Sequence, residues 1–196
     1  MKTLIWTAAM AVGLWGVARA LTGQEIVGDR TSLFDGNSLD GWQVIRCEAV
    51  VDHGEILIKS GDGFVQTKAK YGDYIFEWDW KPLKKDKWDG GVFFRFDETE
   101  PSRPWPQRYL VTLKEGDEGN VELLKGAKST GLIKPSDWNH FKLTVRGTKV
   151  EMEINGKPAW KSHGLGIVRD GPLALQAKVP AGGQCRFRNI FITELK

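Results

Sequence analysis

Hydrophobic and polar residues alternate in short runs along most of the chain, which is the pattern of β-strands with one buried face. The runs are rich in β-branched and aromatic residues, and none keeps an apolar period of about 3.6 residues long enough to predict an amphipathic helix. Strands are therefore predicted at 42–47, 55–58, 64–68, 74–81, 91–96, 109–113, 141–146, 150–154, 173–177 and 185–192.

Turn-forming residues separate these runs. They are Asp-His-Gly at 52–54, Tyr-Gly-Asp at 71–73, Arg-Gly-Thr at 146–148, Asn-Gly-Lys at 155–157 and Asp-Gly-Pro at 170–172. Many short strands joined by such turns predict an all-β sandwich or jelly roll. Residues 31–196 contain no linker or internal repeat, so they are expected to form one domain after a lead-in at 21–30.

Alternation in the strand at 74–81 separates an aromatic face from a charged one. Phe76, Trp78 and Trp80 share the face predicted to be core. Glu77 and Asp79 lie on the other face, two residues apart, as the carboxylates of some glycosidases do. A lysine stands where those enzymes carry their third acid, so a solvated strand face of alternating charges is the preferred interpretation.

The strand at 91–96 is assigned in the same way. Val92, Phe94 and Phe96 are expected to face the core, with Phe93 and Arg95 on the opposite, exposed face. The exposed face of a jelly-roll sheet can be a concave ligand surface. The alternative for Arg95 is a simple surface salt bridge.

The first twenty residues have the features of a signal peptide. Lys2 precedes an uncharged run at 4–18, and Ala18-Arg19-Ala20 resembles a cleavage box before Leu21. The run is shorter than the roughly 20 residues that span a bilayer. We therefore expect an exported protein, periplasmic or secreted, with no membrane span after cleavage.

Charge excludes one class of partner. The formal charge of +3 becomes +1 without the leader, because the leader holds two of the 28 basic residues and none of the 25 acidic ones. A nearly neutral chain with both signs interspersed gives no reason to expect nucleic acid.

Cysteine and histidine usage limits the chemistry further. In an oxidising compartment Cys47 and Cys185 could form one disulfide, or they could be two buried free thiols, and both interpretations remain open. The three histidines share no metal-ligand spacing, and no nucleotide-binding or serine-hydrolase motif occurs. No transition-metal site is expected, a calcium ion has no support, and the cofactor is left unknown.

A proline-rich loop after Phe96 carries charges and an indole. Long loops that leave a sheet often hold binding groups. Trp105 could stack on the face of a sugar ring, or it could fold onto the core. Trp88-Asp89, just before Gly90, is a second, weaker candidate for ligand binding.

Several short motifs occur in the order typical of one family. They are Phe-Asp-Gly-Asn-Ser-Leu-Asp-Gly-Trp at 34–42, Tyr-Gly-Asp-Tyr at 71–74, Gly-Gly-Val-Phe-Phe-Arg at 90–95, Asp-Trp-Asn-His-Phe at 137–141, Ile-Asn-Gly-Lys at 154–157, Gly-Pro-Leu-Ala-Leu-Gln at 171–176 and Phe-Arg-Asn-Ile-Phe-Ile at 187–192. The chain thus resembles the bacterial 3-keto-disaccharide hydrolase domain, also described as a 3-keto-glucoside lyase/hydratase. The resemblance implies a concanavalin-like jelly roll of two antiparallel sheets, export, and a 3-keto-glycoside or other carbohydrate ligand.

The implied chemistry starts from a ketone at C3 of a sugar, which acidifies the proton on C2. A base removes that proton, the enolate expels the C1 substituent, and water adds to the product. The site needs a base near C2, a cation or donor at the C3 oxygen, and an acid near the leaving oxygen. The resemblance implies that Arg95 holds the enolate or a hydroxyl, that Gln176 binds the sugar, and that Arg188 belongs to the site.

Two segments depart from the family pattern. The family's usual Glu-x-Gln-Ile reads Arg108-Tyr109-Leu110-Val111 here, and Gln176 is followed by Ala177-Lys178-Val179 where the family continues Asp-His-Gly. An acid and an imidazole are therefore missing.

Replacements for both groups are available nearby. Lys178 or Tyr109 could serve as base, and Asp97 or Glu98 as acid, while Arg108 and Tyr109 also count as substrate-binding candidates. The alternative functions are a non-catalytic carbohydrate-binding module and a structural envelope protein without a sugar ligand.

Overall fold

Strands and the turns between them make up nearly all of the described chain. The computed structural model describes residues 27–96, 105–106, 108–166 and 170–196. The strands are β1 Val27–Ser32, β2 Trp42–Asp52, β3 Glu55–Thr67, β4 Tyr74–Pro82, β5 Gly91–Phe93, β6 Leu110–Thr112, β7 Asn139–Arg146, β8 Lys149–Ile154, β9 Lys157–Ser162, β10 Ala174–Lys178 and β11 Cys185–Leu195. A single helical turn, α1 Val179–Gly182, follows β10.

The strands form two antiparallel layers that are joined at one side. The first layer has the order β9-β8-β7-β4-β11-β1, and the second has the order β2-β3-β10-β5-β6. The first half of β3 pairs with β11 through Ile56, Leu57 and Ile58, and its second half pairs with β10. Strand β3 therefore connects the layers, and the architecture is the predicted jelly-roll sandwich.

Aromatic side chains fill the space between the layers. Phe76, Trp78 and Trp80 on β4 are at most 1% exposed, as their alternation predicts. The Trp78 ring stacks on Phe141 of β7 with centroids 5.2 Å apart, and Phe94 packs into the same core from the second layer. Burying each such side chain stabilises the fold by roughly 1.5–3 kcal/mol.

Strands β1 and β9 were not predicted, and β3 is one strand where two were expected. Gly61 and Gly63 interrupt the hydrophobic run in the sequence, yet the backbone at both positions continues alongside β2. A Cβ at Gly63 would lie 2.0 Å from the Ile45 carbonyl oxygen, so this glycine allows two backbones to approach closely. In β9, Pro158 lies near the start, and a proline within a run argues against predicting a strand from the sequence.

Two tight hairpins follow the turn signals in the sequence. Asn155 and Gly156 join β8 to β9 with φ of +52° and +74°, and His53 and Gly54 join β2 to β3 with φ of +54° and +76°. Positive φ at both central residues is the type I′ geometry that matches strand twist. These predicted turns are confirmed.

Cys47 and Cys185 are free thiols. The Cys47 Sγ donates to the Phe64 carbonyl oxygen over 3.6 Å, while Cys185 is buried at the start of β11. The sequence was compatible with a disulfide or with two free thiols, and the structure contains two free thiols.

The predicted leader at 1–20 lies outside the described residues. Strand β1 begins at Val27, so the end of the predicted lead-in already belongs to the sheet. Among the described residues there is no helix with the length and apolar character needed to cross a membrane.

Candidate functional site

A groove lies on the face of the second layer that points away from the core, which we call the outer face. Leu175 of β10 points into the core, so its neighbours Gln176 and Ala174 point outward, as does Phe93, the cross-strand partner of Ala174. The groove encloses about 250 Å³. Its lining residues are Asp89, Phe93, Trp105, Pro106, Leu110, Thr112, Glu122, Leu123, Gln176 and Lys178.

An ion pair occupies one end of the groove. The Lys178 ammonium lies 2.5 Å from a carboxylate oxygen of Asp89, and the two side chains are 29% and 21% exposed. Lys178 ends β10, and the Asp89 backbone amide donates to the Gly182 carbonyl oxygen in α1. The short helix thus fixes the loop that carries the carboxylate next to the strand that carries the ammonium.

Trp105 forms a wall beside this pair. Its indole nitrogen donates to the Ala177 carbonyl oxygen over 3.2 Å, and its ring centroid lies 5.7 Å from the Lys178 ammonium. The ring also packs against an apolar cluster on the outer face formed by Phe64, Phe93, Phe96 and Ala174. Trp105 therefore packs on the protein with part of its side chain and lines the groove with the rest, which combines the two sequence alternatives.

The groove offers an aromatic wall, an amide, a hydroxyl, an ammonium and carboxylates within one small cavity. Apolar walls with a few convergent polar groups are typical of small-molecule sites. The mixture suits a ligand with both C–H faces and hydroxyl groups.

Three residues singled out in the sequence meet in the groove, namely Trp105, Gln176 and Lys178. Asp97 and Glu98, the predicted acids, lie outside the described residues. Arg108 is exposed and does not line the groove.

Tyr109 and Trp88 face the core instead. The Tyr109 ring stacks on Phe94 with centroids 5.6 Å apart, and its hydroxyl accepts a hydrogen bond from the Gly166 amide. The Trp88 indole donates to a carboxylate oxygen of Glu118 over 2.8 Å. Both side chains are buried, so the expectation that they line a ligand surface is wrong.

Arg95 is also buried, so the expectation of an exposed guanidinium is wrong. Strand β5 ends at Phe93, and Arg95 has φ of +50°, which breaks the alternation and turns its side chain away from the outer face. The guanidinium donates to the Gly72 carbonyl oxygen and to the Asp73 carboxylate over 2.5 and 2.7 Å. The break also moves Phe96, expected in the core, into the cluster on the outer face.

Arg188 lies on the outer face of the first layer, away from the groove. Its guanidinium stacks over the Trp138 ring at 4.0 Å and lies 3.5 Å from the Asp79 carboxylate. The structure therefore does not bring Arg188 together with Gln176 and Lys178.

A polar cluster around Asp79 was missed by the sequence analysis. Asp79 accepts hydrogen bonds from His140 Nδ1 over 2.8 Å and from Asn189 over 2.7 Å. Burial by itself would raise the pKa of Asp79, but these hydrogen bonds and the nearby Arg188 lower it below its usual range. The hydrogen bond to Asp79 raises the pKa of His140.

The solvated face expected for Glu77 and Asp79 is therefore wrong, because their side chains are 18% and 13% exposed and hydrogen bonded. The available signal was that His140 and Asn189 both fall within family motifs. Glu122 in the groove was missed as well. Of the weaker candidate pair Trp88-Asp89, Asp89 lines the groove and Trp88 does not.

Among the described residues, no three His, Cys, Asp or Glu side chains form a group that could hold a metal ion.

The family model of the 3-keto-alpha-glucoside-1,2-lyase-like domain matches residues 29–193. The chain belongs to this family. The match covers most of the sequence and confirms the resemblance drawn from the ordered motifs. No curated protein matches the sequence.

Solved structures with the same fold include carbohydrate-related proteins. A candidate glycosyl hydrolase from Parabacteroides distasonis is 19% identical, with a TM-score of 0.69 over 86% of this chain and 94% of that one. A carbohydrate-binding module from Bacillus subtilis is 17% identical, with a TM-score of 0.59 over 76% and 93%. A Bacillus subtilis protein of unknown function with a galectin-like fold is 14% identical, with a TM-score of 0.59 over 88% and 97%. These similarities confirm the jelly-roll fold.

Proposed function

We propose that the protein binds and cleaves 3-keto-glycosides in the groove, outside the cytoplasm. The observation that carries this proposal is the Asp89–Lys178 ion pair beside Trp105 and Gln176, in one cavity of a family member. A carboxylate and a cation side by side provide two of the three groups that elimination from a 3-keto sugar requires.

Each groove residue takes one role in this proposal. Trp105 stacks on the sugar ring, and the Gln176 amide hydrogen-bonds a hydroxyl. The Lys178 ammonium donates to the C3 oxygen and stabilises the negative charge that develops there. Asp89 removes the proton from C2. Lys178, a candidate base in the sequence, suits the cation role better because its partner is itself a carboxylate.

The test is turnover of 3-keto-trehalose and several 3-keto-glucosides by the purified protein, followed by product analysis. We expect Lys178→Met and Asp89→Asn each to lower kcat/KM by about 100-fold, the lower end of the effect of losing one such group. The control is Lys161→Met, which removes an exposed lysine paired with Glu151 on strand β8. Turnover by none of the substrates, or equal rates for the Lys178 and Lys161 variants, would contradict the proposal.

A non-catalytic carbohydrate-binding module is the second candidate. It is favoured by the exposed Arg108 and by Lys178, which stand where the family carries an acid and an imidazole. One protein with the same fold is itself a carbohydrate-binding module. In the same assay this alternative gives saturable glycan binding without turnover, and Trp105→Ala weakens that binding.

A further inference from the structure

A second cavity of about 370 Å³ adjoins the groove, and we call it the side cavity. Thr112 and Glu122 line both spaces, so they mark the boundary between them. The rest of the side cavity includes Lys114, Lys128, Asp117 and Asn120, and the acids Asp117 and Glu122 balance the two lysines. A ligand seated against Trp105 can extend past Glu122 into this space.

The loop that carries Glu122 is held firmly by the core. The Trp88 indole donates to the Glu118 carboxylate, and the Trp160 indole donates to the Gly119 carbonyl oxygen over 2.7 Å. The Val121 amide, next to Glu122, donates to the Ala127 carbonyl oxygen over 3.0 Å. Glu122 thus extends from a backbone fixed by buried donors, as a group that must meet a reacting atom requires.

Glu122 differs from the other carboxylates in this region. Asp89 is paired with Lys178, and Glu118 accepts hydrogen bonds from Trp88 and the Gly116 amide. The Glu122 side chain is exposed, and no hydrogen bond or ion pair engages its carboxylate within the described part of the chain. Its oxygens are therefore available to a ligand.

We propose that Glu122 is a catalytic residue, the proton donor to the leaving oxygen, and that the leaving part of the substrate occupies the side cavity. This inference rests on the proposed function. The groove alone is smaller than the roughly 300–1,000 Å³ of typical ligand pockets, whereas the two cavities together fall within that range. The bond between the two parts of the substrate then crosses the boundary where Glu122 stands.

The proposed reaction begins with removal of the proton from C2. Asp89 takes the C2 proton, the electron pair of that bond forms the C1–C2 double bond, and the C1–O bond breaks. The departing oxygen takes the proton of the Glu122 carboxyl group and leaves as an alcohol. Water then adds to C1 and returns a proton to Glu122, while Asp89 returns its proton to C2, so the sum is hydrolysis.

The test compares two leaving groups. A sugar alcohol needs a proton to depart, whereas 4-nitrophenolate does not. For Glu122→Gln we expect a loss of about 100-fold in kcat with 3-keto-trehalose, and less than about threefold with 4-nitrophenyl 3-keto-glucoside. The matched control is Glu115→Gln, an exposed glutamate of the same loop that lines neither cavity.

The outcomes separate this inference from the function on which it rests. Turnover of both substrates by wild type, with equal losses for both in Glu122→Gln, overturns the role of Glu122 and leaves the proposed function intact. A wild-type protein that cleaves neither substrate overturns both. A selective loss with the disaccharide supports both.

Discussion

At the scale of single residues, the backbone angle at Arg95 decides on which side of its sheet the guanidinium lies. Gln176 and Lys178 are two residues apart on the regular strand β10, so alternation alone places both on one face. Arg95 follows the end of β5 with φ of +50°, a backbone angle that no hydrophobic pattern reveals. Alternation therefore holds along β10 and fails after β5, which is why it misplaced the guanidinium of Arg95.

The burial of Arg95 leads to a prediction about stability. Asp73 accepts hydrogen bonds from Arg95 and from the Gly147 amide, and so it joins three segments of the chain. Asp73→Ala leaves a guanidinium that is 1% exposed without its carboxylate. We expect this change to lower the free energy of unfolding by about 3 kcal/mol.

The control is Arg95→Met, which keeps an apolar stem and leaves no buried charge. The remaining Asp73 is 34% exposed and can be hydrated, so this variant should lose clearly less stability than Asp73→Ala. Urea denaturation of both variants checks the order. Equal and small losses would show that the pair contributes little to the fold.

At the scale of elements, the Asp79 cluster is a contact among three strands of the first layer. Asp79 lies on β4, His140 on β7 and Asn189 on β11, and Asp79 is the direct cross-strand partner of His140. Residues 61 and 110 positions apart cannot be paired from local patterns. This explains why the sequence assigned a solvated face to Glu77 and Asp79.

The cluster predicts how stability depends on pH. The hydrogen bond to Asp79 raises the pKa of His140 in the folded protein, so its stabilising charge is fully present below the unfolded value of about 6.5 and is lost as pH rises through the folded pKa. His140 faces Asp79 and Glu77 as acids and Arg30 as a base. We expect the free energy of unfolding to fall by at most about 1 kcal/mol on the alkaline side of pH 6.5, because His140 is two-fifths exposed.

The measurement is urea denaturation of wild type and His140→Gln across that pH range. The variant should show a flatter profile, since a neutral amide keeps one hydrogen bond and does not titrate. Asp79 acts with the opposite sign: its pKa is lowered, so its contribution is lost as the pH falls into the acid range. A profile that is equally steep in wild type and variant would assign the pH dependence to other groups.

At the scale of the whole molecule, the series of short strands was sufficient to predict an all-β sandwich or jelly roll, but it could not predict the groove. Asp89 comes from the loop before β5, Trp105 from the loop before β6, Glu122 from the loop after β6 and Lys178 from the end of β10. These four side chains lie together because the strands are ordered β6-β5-β10 in the sheet. Strands β5 and β6 precede β10 by more than 60 residues in the chain. Topology, rather than any local motif, therefore creates the site.

The same topology makes one thiol a reporter of global unfolding. Cys185 pairs with Ile58 on β3 and Pro82 on β4, at the junction of the two layers. Burial raises the pKa of this thiol to about 12 and raises that of the half-buried Cys47 as well. Because the thiolate is the reactive form, we expect iodoacetamide to reach Cys185 only when the layers separate.

Mass spectrometry without reductant provides the measurement. In denaturant both thiols should be alkylated. In native buffer Cys185 of a Cys47→Ala variant should react at a rate that follows the equilibrium population of the unfolded protein and rises with urea as that population does. An unreduced chain that is two mass units lighter and takes no label would instead establish the disulfide. Fast native labelling of Cys185 would mean that β11 opens locally at the junction while the rest of the sandwich stays folded.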